Sequence, residues 1–117
     1  MEEKLLVEHL LEGMRGIESR EATLHAKRMF SGYGIFLNGR MFALVADGEL
    51  YLKADAGNSA AFDERNLPAF TYKSSRGTAT MSYRLAPPEF VESPERQLQW
   101  ARDAIAASER SGTRERT

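Results

Sequence analysis

Apolar residues at Leu6, Leu10 and Met14 recur every four positions, with Val7 and Leu11 on the same side. Lys4, Glu8, Glu12 and Arg15 occupy the opposite side. This spacing predicts an amphipathic helix over residues 2–14, with early acids that suit its dipole and Gly13 and Gly16 as stop signals. Residues 17–22 read as a connector and 23–29 as a short strand. The period then changes from helical to alternating. Asn38-Gly39 and Asp47-Gly48 each sit between apolar, strand-like runs. Both dipeptides suit two-residue type I′ turns, so they predict three antiparallel strands over 33–37, 40–46 and 49–54.

Two-residue turns also set the register. Leu37 should pair with Arg40, Phe36 with Met41 and Ile35 with Phe42. Ala46 should pair with Glu49, Val45 with Leu50, Leu44 with Tyr51 and Ala43 with Leu52. Side chains alternate across a strand, so one face should carry Phe36, Met41, Ala43, Val45, Leu50, Leu52 and Ala54, and lie on a core. The other should carry Tyr33, Ile35, Leu37, Arg40, Phe42, Leu44, Glu49, Tyr51 and Lys53. A sheet with one wet face shows polar residues there, and this face has an apolar centre. It is therefore expected to be covered. A second copy of the chain is the preferred cover, since large exposed apolar patches mark interfaces. One of the chain's own helices, or single-stranded nucleic acid stacked on Tyr33, Phe42 and Tyr51, are the alternatives. The expected interface is Tyr33, Ile35, Leu37, Arg40, Phe42, Leu44, Tyr51 and Lys53.

Further along, Gly57-Asn58-Ser59 can open a short helix that Pro68 closes. Residues 70–74 and 78–85 predict a second hairpin around Ser75-Arg76-Gly77, in which Ala79, Met81, Tyr83 and Leu85 alternate with polar residues. Pro87-Pro88 breaks the chain. Ser93-Pro94-Glu95 is a strong helix start, and the helix should run to about residue 108. Leu98, Ala101, Ala104 and Ile105 form its stripe, with Trp100 at the edge. The fold class is α+β with a mainly antiparallel sheet, in the order α-β(3)-α-β(2)-α. Residues 1–110 should form one domain and 111–117 a frayed tail.

Composition narrows the class without naming a function. The chain has 117 residues, 42% apolar and 28% charged, which is ordinary for a globular domain. With no Cys, disulfides, thiolate metal sites and cysteine nucleophiles are excluded. No apolar run approaches the roughly 20 residues that cross a bilayer. The acidic start, Met1-Glu2-Glu3-Lys4, lacks a signal peptide's basic region, so a cytoplasmic location is expected and no membrane partner. The formal charge of −1 argues against direct nucleic-acid binding. That charge is uneven: residues 1–23 hold three Lys/Arg against six Glu, and residues 24–84 hold eight Lys/Arg against five Asp/Glu.

The residues that usually carry chemistry do not assemble into a motif. His9 and His25 have no neighbours at metal-ligand spacing, and a metal site needs three or four ligands. Gly32-Tyr33-Gly34 lacks the third glycine and the following helix of a dinucleotide site, so it reads as a bend or bulge at the entry to the sheet. Asp63-Glu64 and Glu92/Glu95 lie in surface or helix-start contexts, and no Gly-x-Ser-x-Gly elbow occurs. No catalytic residue, cofactor or metal is expected, and no enzymatic activity.

Several segments, taken in order, resemble the N-terminal domain of the TfoX/Sxy family. They are Arg28-Met29-Phe30-Ser31-Gly32-Tyr33-Gly34, Asn38-Gly39-Arg40-Met41-Phe42-Ala43 and Leu50-Tyr51-Leu52-Lys53. Phe70-Thr71-Tyr72, Met81-Ser82-Tyr83 and the Trp100-Ala101-Arg102 helix continue the likeness, which spans residues 5–108. Ser31 departs from the family's usual Gly. The resemblance implies a secretion-chaperone-like α+β fold, often dimeric, in a bacterial cytoplasmic protein. Name-giving members regulate natural competence together with a cyclic-AMP-dependent transcription activator, and carry a second, helical domain that this chain is expected to lack. The resemblance carries no catalytic residue. The expected function is that of a small non-catalytic regulatory or adaptor domain, working by contact with a transcription-regulatory protein and as a homodimer. Small-molecule or nucleic-acid binding through the aromatic sheet face is the alternative.

Overall fold

The computed structural model describes residues 3–29 and 32–111. Of the expected tail over 111–117, residues 112–117 lie outside them, as does the departure at Ser31. Helix α1 (Glu3–Gly13) leads through a 3-10 turn (Arg15–Ile17) into strand β1 (Leu24–Met29). The meander β2 (Gly32–Leu37), β3 (Arg40–Ala46) and β4 (Glu49–Lys53) follows. A short helix α2 (Ser59–Asp63) precedes β5 (Ala69–Ser74) and β6 (Gly77–Leu85). One helical turn, α3 (Glu89–Glu92), and the long α4 (Pro94–Arg110) close the described chain. All strand pairs are antiparallel, and the six-stranded sheet has the order β1-β2-β3-β4-β6-β5. The α+β class and the antiparallel sheet are as the sequence pattern predicts. Helix α3 is additional; it forms directly after Pro87-Pro88, with Phe90 buried and its amide donating to the Pro87 carbonyl.

Both meander turns have the backbone that their dipeptides predict. Asn38 and Gly39 have φ of 52° and 80°, and Asp47 and Gly48 have 53° and 76°. Positive φ at both central residues is the type I′ signature. All four expected β3–β4 pairs form, as do Leu37 with Arg40 and Phe36 with Met41.

One expected pair does not. The ladder shifts between Ile35 and Phe36, so that Ile35 pairs with Ala43 instead of Phe42, and Tyr33 with Val45. Phe42 is the extra residue of a β-bulge, which a turn-based register cannot foresee. The consequence is large, because a one-residue slip exchanges the faces of everything beyond it. Ile35, at 0% exposure, joins Phe42, Ala43, Val45, Leu50 and Leu52 in one core under the helices, and Tyr33 and Leu37 pack against it. The face expected to bind a partner thus surrenders Ile35, Leu37 and Phe42 to the chain's own core, while Tyr33 packs on that core and also edges the other side, and Phe36 and Met41, expected on the core face, lie on the opposite one.

That core is closed by Val7, Leu10 and Met14 from the N-terminal segment, Phe62 from α2, Phe90 from α3, and Trp100, Ala101 and Ala104 from α4. Ser93 caps α4 as predicted, its side chain accepting from the Arg96 amide at 3.2 Å. The buried stripe of α4 is rotated from the expected one. It runs through Gln97, Trp100, Ala101, Ala104, Ala107 and Ser108, while Leu98 and Ile105 are only half-buried. Alanines let this helix approach the sheet closely, and Trp100 fills the gap beside Phe62, their ring centroids 5.2 Å apart. The Trp100 Nε1 donates to Glu89, which also meets Arg65 and Arg96. At the far end of α4, Arg110 donates to both carboxylate oxygens of Asp55 at 2.7 and 2.8 Å and fastens the β4–α2 loop.

Candidate functional site

The opposite face of the sheet has a different construction. Leu44, Ala46 and Tyr83 are buried there, packed against Met41, Tyr51, Phe70 and Met81, and every member of this cluster belongs to a strand. Among the described residues, no helical residue joins it. Leu44 is 7% exposed and Tyr83 4%, and the described side chains packed around them all come from strands.

The glycines of β2 make part of this possible. A Cβ on Gly34 would stand 2.7 Å from the Met29 sulfur, 2.8 Å from the Met41 sulfur and 3.0 Å from the Phe36 ring. A Cβ on Gly32 would stand 2.0 Å from the Val45 carbonyl oxygen. Gly34 therefore leaves a furrow into which Met29 from β1 and Met41 from β3 fold, while Gly32 lets the β3 backbone come close. Phe36, beside it, stacks on His25 with centroids 5.0 Å apart. Met29, Met41, Leu44, Phe70 and Met81 line a mostly apolar hollow of about 60 Å³. A drug-sized ligand needs about 300–1,000 Å³, so the hollow suits a single inserted side chain. Methionines are flexible and polarizable, and surfaces built from them re-pack around varied partners.

At one side of the hollow the aromatics form a ladder. Tyr51 meets Phe70 edge-on at 5.0 Å, and Phe70 is stacked with Tyr72 at 6.2 Å. Tyr72 is 45% exposed, one of three large hydrophobic residues that stand out from the described surface, with Leu5 and Val91. It sits on a ribbon that leaves the body of the sheet. Strand β4 pairs with β6 only at Tyr83, Arg84 and Leu85, whereas β5 and β6 continue together to Ser74 and Gly77. Residues 71–78 of this ribbon are exposed throughout.

Lys53 joins this face as expected, but its charge is not at a wet rim. The residue is 8% exposed, its Nζ donates to Ser82 Oγ at 2.6 Å and lies 5.2 Å from the centre of the Tyr83 ring. Burial lowers its pKa. Burial likewise raises the Tyr83 phenol, and raises Tyr51, where Glu49 and Asp47 add to the effect. Arg40 stands elsewhere, at the start of β3. It lines a polar cleft of about 450 Å³ with Asn38, Ser108 and Glu109, and its Nε is buried without a hydrogen-bond partner. Of the eight residues expected at the interface, the uncovered face keeps Leu44, Tyr51 and Lys53, and Tyr33 reaches the lining of the hollow. That face adds Met29, Met41, Phe70, Tyr72, Met81 and Tyr83. Their signal was present in the alternation of Phe70 with Tyr72 and of Met81 with Tyr83.

Among the described residues, no three His, Asp or Glu side chains are grouped so as to hold a metal ion, and no helix is long and apolar enough to cross a membrane. The sequence pattern of the TfoX N-terminal domain matches residues 19–108. The chain belongs to the TfoX N-terminal domain family. That span begins just before β1 and ends within α4, so the sheet, the hollow and the ribbon all lie inside the family's region. A DNA transformation protein, TfoX1 of Aliivibrio fischeri (strain ATCC 700601 / ES114), is 28% identical over 100 residues. The match covers 86% of this chain and 48% of that protein, so the chain spans about half the length of this TfoX relative.

Proposed function

We propose that this chain is a non-catalytic regulatory domain of DNA transformation that works by protein–protein contact through the uncovered sheet face. The observation that carries this reading is the methionine-lined hollow beside an exposed aromatic ladder. It is apolar, adaptable and sized for a side chain, which is the composition of a contact surface. The family membership and the TfoX1 relative supply the process in which such contacts would act. A cytoplasmic location and a transcription-regulatory partner fit this role.

The test is genetic and needs the folded chain. The native gene is replaced by Met81→Glu or by Val91→Glu, and uptake of marked linear DNA is scored as transformation frequency. Met81 lines the hollow, whereas Val91, equally apolar and 63% exposed, lies on α3. The reading expects a loss of at least tenfold for Met81→Glu at normal protein level, and little change for Val91→Glu. Wild-type frequency in a strain deleted for the gene would refute it.

A further inference from the structure

We propose that the polar cleft between the β2–β3 turn and the end of α4 is a binding site for a small zwitterion with an aliphatic body, a free amino acid or a dipeptide. Its carboxylate lies on Arg40, its ammonium on Glu109, and its hydrocarbon part on Leu37 and Ile105. The cleft is on the helical side of the sheet, apart from the uncovered face.

One wall is a guanidinium with nothing to hold. Arg40 opens β3 directly after the Asn38-Gly39 turn, with Leu37 as its ladder partner. Its Nε is buried, and no described group accepts its hydrogen. Among the described residues, no carboxylate meets the guanidinium either. A buried donor without an acceptor is costly and uncommon in folded chains. An arginine cannot escape that cost by losing its charge. An acceptor brought into the cleft removes it, and a carboxylate suits best, because a guanidinium edge takes its two oxygens through parallel bonds.

The other wall asks for a cation. Glu109 stands exposed on the last turn of α4, and no described cation pairs with it. The C-terminal end of a helix adds its own partial negative charge there. Arg40 and Glu109 thus line one cleft with opposite charges and no ion pair between them. A phosphate would gain Arg40 and be repelled by Glu109 and the helix end. A molecule with one carboxylate and one ammonium satisfies both walls. Leu37 and Ile105, half-buried and packed on the core, offer the apolar surface between them.

The remaining lining groups shape the cleft and are already engaged. Asn38 Oδ1 accepts from the Thr23 amide at 2.9 Å, and its Nδ2 donates to the Glu21 carbonyl. Ser108, 1% exposed, donates to the Ile105 carbonyl at 2.7 Å. Turn and helix end are therefore fixed before a ligand arrives, and a pre-organised site loses less on binding. The volume of about 450 Å³ falls in the ~300–1,000 Å³ range of small-molecule sites.

The probes are L-leucine and L-leucyl-L-leucine, titrated into the full chain. The Arg40 Nε–H and the Gly39 and Glu109 amides are followed by nitrogen-15 NMR. At least one probe should move all three signals along a saturating curve in the millimolar range or below, and the tighter of the two reports the span between the walls. The same probe with its amine acetylated or its carboxylate amidated should bind at least tenfold more weakly, and inorganic phosphate should bind more weakly still. Arg40→Lys and Glu109→Gln should each weaken the free probe at least tenfold with unchanged circular dichroism. Glu109 is exposed, so its variant tests the site even if Arg40→Lys disturbs the fold. No saturating shift with either probe overturns the proposal. So do blocked probes that bind as well as free ones, phosphate that binds more tightly than the zwitterion, or a Glu109→Gln variant that binds like wild type.

Discussion

The two faces of this sheet are both apolar, and they are buried in different ways. On one, α1, α2, α3 and α4 lay Val7, Leu10, Phe62, Phe90 and Trp100 over Ile35, Phe42, Val45 and Leu52. On the other, strand side chains shield one another, and a hollow stays open between Met29, Met41, Phe70 and Met81. The first arrangement is a close-packed interior, where any lost methylene is felt. The second is a surface that is dry enough to hold Leu44 and Tyr83 and still open enough to admit a side chain. The difference teaches that an apolar alternation on both sides of a strand does not imply a layer on both sides.

The comparison breaks most readily at the covered face. Phe42→Ala removes a side chain at 0% exposure from the bulge that seats β3 on the core. It should cost about 3–5 kcal/mol. Urea unfolding followed by Trp100 fluorescence would measure it, and a cost below about 1 kcal/mol would contradict the register and the face assignment.

Gly34→Ala tests the furrow that separates the two constructions. A methyl there would press on two methionine sulfurs at 2.7 and 2.8 Å and on the Phe36 ring. Both sulfurs end flexible side chains, so the loss should be about 1–3 kcal/mol, with changed chemical shifts at the Met29 and Met41 methyls. A neutral substitution would mean that the furrow does not organise the hollow.

Met41→Ala sharpens the contrast from the other side. A half-buried methionine on the open face should lose roughly 1–2 kcal/mol, less than the 2–5 typical of a fully buried one. The same chemical melt decides it. A loss as large as that of Phe42→Ala would make the two faces equivalent.

The smallest effect belongs to a contact remote from both faces. Arg110 beside Asp55, with the Gly57 and Asn58 amides, holds the Asp55 carboxyl down to about 2 from the usual carboxylate range. A depressed folded-state pKa contributes stability that is present above the unfolded value and is lost as pH falls. Asp55→Asn should therefore flatten the stability profile only between about pH 4 and pH 2, and modestly, because an exposed pair is screened by solvent. A profile identical to wild type over that acid range would show that the loop is not fastened by this pair.

Most of the fold was legible because its local signals agree. Asn38-Gly39 and Asp47-Gly48 set both turns, and four of four β3–β4 pairs follow from the second one. Ser93 sets the start of α4. The first hairpin shows where that reasoning ends. The bulge at Phe42 comes from packing across the sheet, because both Phe42 and Ala43 are wanted by the same core, and no dipeptide encodes that. Ile35, Leu37 and Phe42 turn to the core as a result, and Phe36 and Met41 turn away from it. The stripe of α4 was misplaced for a related reason: Leu98 is the more apolar choice, yet the close approach of helix to sheet selects small residues and leaves Leu98 over Gly16. The candidate site was half visible. Leu44, Tyr51 and Lys53 were placed by the turns, whereas Met29, Met41, Phe70 and Met81 come from four strands, of which β1 and β5 are the opposite edges of the sheet.

The claim that one face of the sheet is covered and the other open can be read directly from methionine methyls. Met29, Met41 and Met81 line the hollow, while Met14 is wholly buried on the helical side. A carbon-13 methyl spectrum of the labelled protein, recorded with a soluble paramagnetic agent, should show the first three broadening well before Met14. Equal broadening of all four, or a Met14 that broadens first, would contradict the account.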